Sequence, residues 1–166
     1  MQIAIHIARG DRQAAIAAAV QYLDVFQTDT VVWEQLARLY LDAGQLGQAQ
    51  FCLEEALLAA PNNVVTLLKL ADVLFAQGGT LVQAARGYYA RVVELTKGEN
   101  ARALYGIVAC NAVGAGPLKV DGAEEVAAGD AELQELAEQR LRRMYAASAP
   151  ELLPCVEACL AAMQPK

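Results

Sequence analysis

Apolar positions in this chain recur with a helical period and in matched blocks. Trp33, Leu36, Ala37 and Tyr40 fall three and four residues apart and form one helical stripe, and Ala49, Leu53 and Ala56 form a second after a break at Gly44. This spacing predicts two antiparallel helices in which the bulky residues of the first fill space left by the small residues of the second. Gly44 suits the left-handed residue that ends the first helix, Pro61 stops the second, and Asn62 and Asn63 supply turn chemistry before the next. With every one of these positions packed, Trp33→Ala costs roughly 3–5 kcal/mol.

The frame extends both ways. Counting back 34 residues from Gly44 and Ala49 reaches Gly10 and Ala15, so residues 10–28 read as the turn and second helix of an earlier pair, with Met1 inside its first helix. Forward, Leu67, Leu70, Ala71 and Leu74 mark a first helix and Ala85, Tyr89 and Val92 a second. The connection between them, 77–83, is about two residues longer than its counterpart and is expected to lengthen the turn. Residues 101–113 read as the first helix of a degenerate pair, with Gly106 in the small-residue slot.

Helix pairs of about 34 residues marked in this way are tetratricopeptide repeats. The expected fold is therefore all-α, a right-handed α-solenoid of such repeats with C-terminal capping helices. Its array covers 1–116, with a partial repeat 1–29, repeats 30–63 and 64–99, and a degenerate repeat 100–116. A loop 117–129 and capping helices 130–166 follow. Asp130 is the expected N-cap of a helix reaching about Ala147, and Ser148, Pro150 and Glu151 start a last helix ending near Met163, in which Pro154 either lies in the first turn or kinks the helix. The structural core of the repeats is Trp33, Leu36, Tyr40, Ala49, Leu53, Ala56, Pro61 and Tyr89. Because a solenoid needs cover at each end, a start inside a helix implies a piece of a longer repeat protein or a partner over the open end.

Composition narrows the function. The chain is 56% hydrophobic, much of it Ala, with a formal net charge of −6. An acidic balance argues against a general binder of nucleic acid or anionic membrane. The charge-free run 103–118 is shorter than the ~20 residues of a membrane helix and contains Asn111 and Pro117. No basic leading region precedes an apolar one, so no secretory signal, reduced thiols and the cytosol are expected.

Candidate chemistry is sparse. His6 is the single histidine and has no nucleophile near it in sequence. Cys155 and Cys159 share a helical face, but structural zinc needs four donors, and Cys52 and Cys110 stand apart; all four are expected to be small buried hydrophobes. Adjacent Glu54 and Glu55, like Glu124 and Glu125, diverge by about 100° on a helix and cannot act as a facing acid–base pair. Arg140, Arg142 and Arg143 form the one basic cluster, either an exposed helix face or a contact for an acidic partner. No catalytic, metal or cofactor site emerges, and the chain is not expected to be an enzyme.

First helices of successive repeats line a groove. Here it should present Val31, Glu34, Arg38 and Leu41, then Val65, Leu68, Asp72 and Phe75, extended by Asn100, Ala103, Ile107 and Cys110. The Lys and Asn clamp that repeat proteins use for acidic chaperone tails is absent. A mostly apolar groove suits a helix or hydrophobic segment, from a partner or from the chain's own C-terminal helices.

The runs Trp33-Glu-Gln-Leu-Ala-Arg-Leu-Tyr40, Gln48-Ala-Gln-Phe-Cys-Leu-Glu-Glu55, Pro61-Asn-Asn63, Gln77-Gly-Gly79 and Arg102-Ala-Leu-Tyr-Gly106 carry a more specific likeness. Over residues 3–109 the chain resembles the family of subunit 2 of the endoplasmic reticulum membrane protein complex. That resemblance implies a non-catalytic cytosolic scaffold at the face of the endoplasmic reticulum membrane. It would brace a complex that inserts tail-anchored and multi-pass proteins. The implied partners are the insertase-like subunit 3, the tail of subunit 5 and subunit 8 or 9, one of which would fill the groove. The alternative is a general tetratricopeptide-repeat adaptor that binds a peptide or helix of another protein.

Overall fold

The structure is a computed structural model that describes residues 2–114 and 123–163. Every regular element among them is helical: α1 (Gln2–Ala8), α2 (Arg12–Leu23), α3 (Thr30–Asp42), α4 (Leu46–Ala59), α5 (Val64–Gln77), α6 (Leu81–Leu95), α7 (Ala101–Gly114), α8 (Ala123–Ser148) and α9 (Leu153–Ala162), with a 3₁₀ turn at Pro150–Leu152. The chain divides into two compact units, Met1–Val73 and Leu74–Lys166.

In the first unit α1 packs on α2, α2 on α3 and α3 on α4. The breaks between them repeat chemically. Asp11 accepts from the Ala14 amide at 3.1 Å, Asp29 from Val31 at 3.1 Å, and Asn63 from Val65 at 3.1 Å, each capping the helix it precedes. Gly10 and Gly44 both take the left-handed conformation, at φ 75° and 72°. At each, the glycine amide and the one after it turn back onto carbonyls of the preceding helix, as in Gly44 to Leu41 and Gln45 to Tyr40, both 2.9 Å. Ala15, Ala19, Leu36, Ala37, Ala49, Leu53 and Ala56 are buried between these helices.

The longer spacing between α5 and α6 is not taken up by a longer turn. The connections α3–α4 and α5–α6 each have three residues, 43–45 and 78–80. Instead α5 has 14 residues against 13 in α3, and Ala85 stands fifth in α6 where Ala49 stands fourth in α4. Continuing a helix by one residue adds a backbone hydrogen bond, whereas a longer loop adds only disorder to be frozen.

In the second unit α6 packs on α7, α7 on α8 and α8 on α9. Gly106 of α7 sits against the Tyr89 ring of α6, and a Cβ there would lie 2.6–2.7 Å from three ring carbons. The helix α8 begins at Ala123, so the latter part of the expected 117–129 loop is helical, while 117–122 lie outside the described residues. Asp130 is inside α8 and not its cap; the preceding Ala123-Glu-Glu-Val-Ala-Ala128 consists mainly of strong helix formers and carries the helix back past it. The two helices run antiparallel: Asn111, late in α7, donates to Gln134 at 3.5 Å, and Tyr105, early in α7, meets the Tyr145 ring edge-on at 6.4 Å.

A line of polar side chains ties three helices of this unit together. Arg86 of α6 donates to Asn111 of α7 at 3.3 Å, Asn111 to Gln134 of α8, Gln134 to Glu138 at 3.0 Å, and Arg142 to Glu138 at 3.2 Å. Glu138 is 8% exposed, and this line gives its buried carboxylate two donors. Pro154 lies in the first turn of α9, where its missing N–H costs no helical bond.

Candidate interaction surfaces

On the first unit, α3 and residues 64–73 of α5 present one mixed face. Val31 is 62% exposed and Val65 55%. Arg38 is exposed, and Leu41, Leu68 and Asp72 are half-buried. Between them Glu34 is a hub: Thr66 Oγ1 donates to it at 2.6 Å, Lys69 Nζ at 2.7 Å and Asn63 Nδ2 at 3.3 Å. Asn63 thus caps α5 with its oxygen and ties α5 to α3 with its nitrogen. Glu34 and Lys69 are committed to joining two successive first helices.

Partial burial pushes the Glu34 carboxyl up, but the hydrogen bonds from Lys69 and Thr66 and the Lys69 charge outweigh it, leaving the carboxyl below its ordinary value. A group lowered on folding contributes stability that is present above its unfolded pKa and lost as pH falls through the folded one. Denaturant unfolding at about pH 7 and about pH 3 should therefore show wild type losing more stability on acidification than Glu34→Gln. Equal losses would mean that the hub carries no pH-dependent stability.

On the second unit the expected groove residues part company. Phe75 is half-buried, but Ile107 is 0% exposed, and Ala103 and Cys110 are buried with it. This corrects the expectation that they extend an open groove: α6 and α8 both pack on α7 and cover that face. Asn100 is occupied as the α7 cap, accepting from the Ala103 amide at 3.0 Å.

Sequence reasoning missed a second surface of the first unit. Val20, Leu23 and Asp24 at the end of α2, Trp33, Leu36 and Tyr40 of α3, and Gly47, Gln48, Phe51, Cys52 and Glu55 of α4 line an open cavity of about 650 Å³, with Gln27 at its edge. Trp33 and Tyr40, expected as core, are half-buried and form part of this lining, whereas Leu36, Ala49, Leu53, Ala56 and Tyr89 are buried and Pro61 is exposed in its turn. Gly47 of α4, which lines the cavity with them, carries no side chain, and a Cβ there would meet nothing within 4 Å.

The thiols divide. Burial pushes Cys52 and Cys110 up to about 11, which keeps them neutral and inert. Cys155 and Cys159 are exposed, contrary to expectation, because α9 buries the neighbouring stripe of Val156 and Leu160. Of the arginine cluster, Arg140 donates to the Lys97 carbonyl at 3.0 Å and Arg142 pairs with Glu138, so two of its three members have partners inside the unit. His6 is half-buried in α1. Among the described residues no group of three or more His, Cys, Asp or Glu could hold a metal, and no helix is long and apolar enough to cross a membrane.

Comparison with known proteins agrees with this geometry. The family model of the EMC2 TPR-like repeat domain matches residues 1–97. The chain belongs to the EMC2 TPR-like repeat family. Similar proteins include ER membrane protein complex subunit 2-A of Xenopus laevis, 36% identical over 107 residues, which are 64% of this chain and 36% of the relative. Subunit 2 of the complex from Dictyostelium discoideum is 34% identical over 95 residues, 57% of this chain and 30% of the relative. The TPR repeat protein oca3 of Schizosaccharomyces pombe is 28% identical over 112 residues, 66% and 39% respectively. The chain thus matches between 30% and 39% of the length of these relatives. Among solved structures, the crystal structure of MamA superposes with a TM-score of 0.61 at 18% identity, covering 95% of this chain and 89% of that one. That likeness is one of fold.

Proposed function

We propose that this chain is a non-catalytic scaffold segment of an endoplasmic reticulum membrane protein complex, working at the cytosolic face of the membrane. The observation that carries this reading is the EMC2 family match over 1–97, the span that includes all of α3 and α5 and hence the face bearing Val31 and Val65. That face has the composition of a docking site for a protein segment: exposed aliphatic side chains flank a fixed ionic hub, so the apolar part supplies binding and the charges supply orientation. In this reading cytosolic segments of other subunits, subunit 3, the subunit 5 tail, or subunit 8 or 9, lie against α3 and α5. Holding them together supports insertion of tail-anchored and multi-pass proteins.

Affinity purification from detergent-solubilised membranes, with mass spectrometry, tests the proposal. The intact chain should recover complex subunits, and Val31→Asp with Val65→Asp should lose at least one of them while keeping wild-type helix content, since both positions are exposed. Unchanged recovery would remove this face from the proposal. Recovery of chaperones in place of complex subunits would favour the general repeat adaptor.

A further inference from the structure

The cavity of the first unit lies on the other side of α3 from the Glu34 face. Trp33, Leu36 and Tyr40 project on average about 150° around the helix from Val31, Glu34, Arg38 and Leu41, at 100° per residue. The proposed function makes no use of it. Its volume of about 650 Å³ falls within the roughly 300–1,000 Å³ of ligand-binding clefts. Its floor is already set: the Trp33 indole N–H donates to the Gln27 carbonyl at 2.7 Å, and the Phe51 ring meets the indole edge-on at 6.1 Å. Phe51 is nevertheless 55% exposed, a large aromatic held in place and left uncovered. The Trp33 indole, fixed by these two contacts, has little rotamer freedom to lose on binding.

Charge then selects the occupant. Both charged side chains among the described residues that line the cavity, Asp24 and Glu55, are acidic, and Cys52 beside them stays neutral. The surrounding unit carries eight Asp or Glu and four Lys or Arg. We infer that this cleft binds a basic amphipathic helix of another protein, its apolar side chains on Trp33 and Phe51 and its Lys or Arg side chains at Asp24 and Glu55. A cleft lined by residues of three helices, α2, α3 and α4, suits the helix-in-groove mode of recognition, in which anchors repeat every three to four residues.

Trp33 is the single tryptophan of the chain and reports on its own site. Two synthetic helical peptides lacking Trp and Tyr serve as probes, with the same Leu stripe flanked in one by Lys and in the other by Glu. The Lys peptide should shift Trp33 emission to the blue, saturably, with affinity about tenfold above that of the Glu peptide and weakening with salt. Asp24→Lys with Glu55→Lys should invert the preference, and Phe51→Asp should abolish both responses. Phe51 and Asp24 are exposed, so circular dichroism should report wild-type helix content in the single variant; an unfolded Asp24→Lys/Glu55→Lys chain is replaced by Asp24→Asn/Glu55→Gln, which should erase the preference. Equal binding of the two peptides, or a preference that survives either charge change, overturns the inference. So does self-association in sedimentation that Phe51→Asp removes, which would assign the cleft to a second copy of the chain.

Discussion

Gly106→Ala should destabilise the second unit by about 1–3 kcal/mol, toward the upper end of the usual cost of overpacking. The added carbon would lie 2.6–2.7 Å from three atoms of the Tyr89 ring, and that ring is 3% exposed and cannot swing into solvent. One of the two helices, α6 or α7, must therefore shift. Tyr89→Leu in the same chain should recover part of the loss, although Tyr89→Leu alone leaves a void and costs stability of its own. The two substitutions should thus be non-additive in urea unfolding, the sign of a direct contact. Wild-type stability of Gly106→Ala would show that α6 and α7 do not approach this closely.

The other large effect lies in the first unit and reverses an order that the repeat motif suggests. Leu53→Ala should cost about 2–5 kcal/mol, because Leu53 is 0% exposed and its removal opens a closed void. Trp33→Ala should cost less than Leu53→Ala, below the roughly 3–5 kcal/mol of a fully buried tryptophan, since water already reaches one side of the indole. Parallel denaturant melts settle the order. A greater loss at Trp33 would mean that the trough beneath it is filled.

Much of this was legible in the chain. The interval of 34 from Gly10 to Gly44 placed two helix ends, and both residues take the left-handed conformation that only glycine adopts freely. The inferences that failed at Ile107 and Trp33 needed to know how far a neighbour reaches. The frame treated Ile107 as one more groove residue because α7 looks like another first helix. That α8 returns along it was hidden, since the tail has lost the repeat signature. Trp33 was expected to be packed because its motif position is, but how much of the indole its neighbours cover is not written in that position. The Glu34 hub has a readable signal in the chain: its repeat mate is Leu68, and Thr66 and Lys69 stand on either side of that position, one turn of helix or less away.

The polar line from Arg86 to Arg142 bears on where α8 can sit. Sliding the 26-residue α8 by a turn along the 14-residue α7 would carry Ala137 and Leu141, buried among its described residues, out of their places. Such a slide would leave the Glu138 carboxylate buried with its donors displaced, a penalty of about 1–3 kcal/mol for each group left unsatisfied. Those side chains work less as adhesive than as an address, admitting one alignment of α8 and refusing its near neighbours.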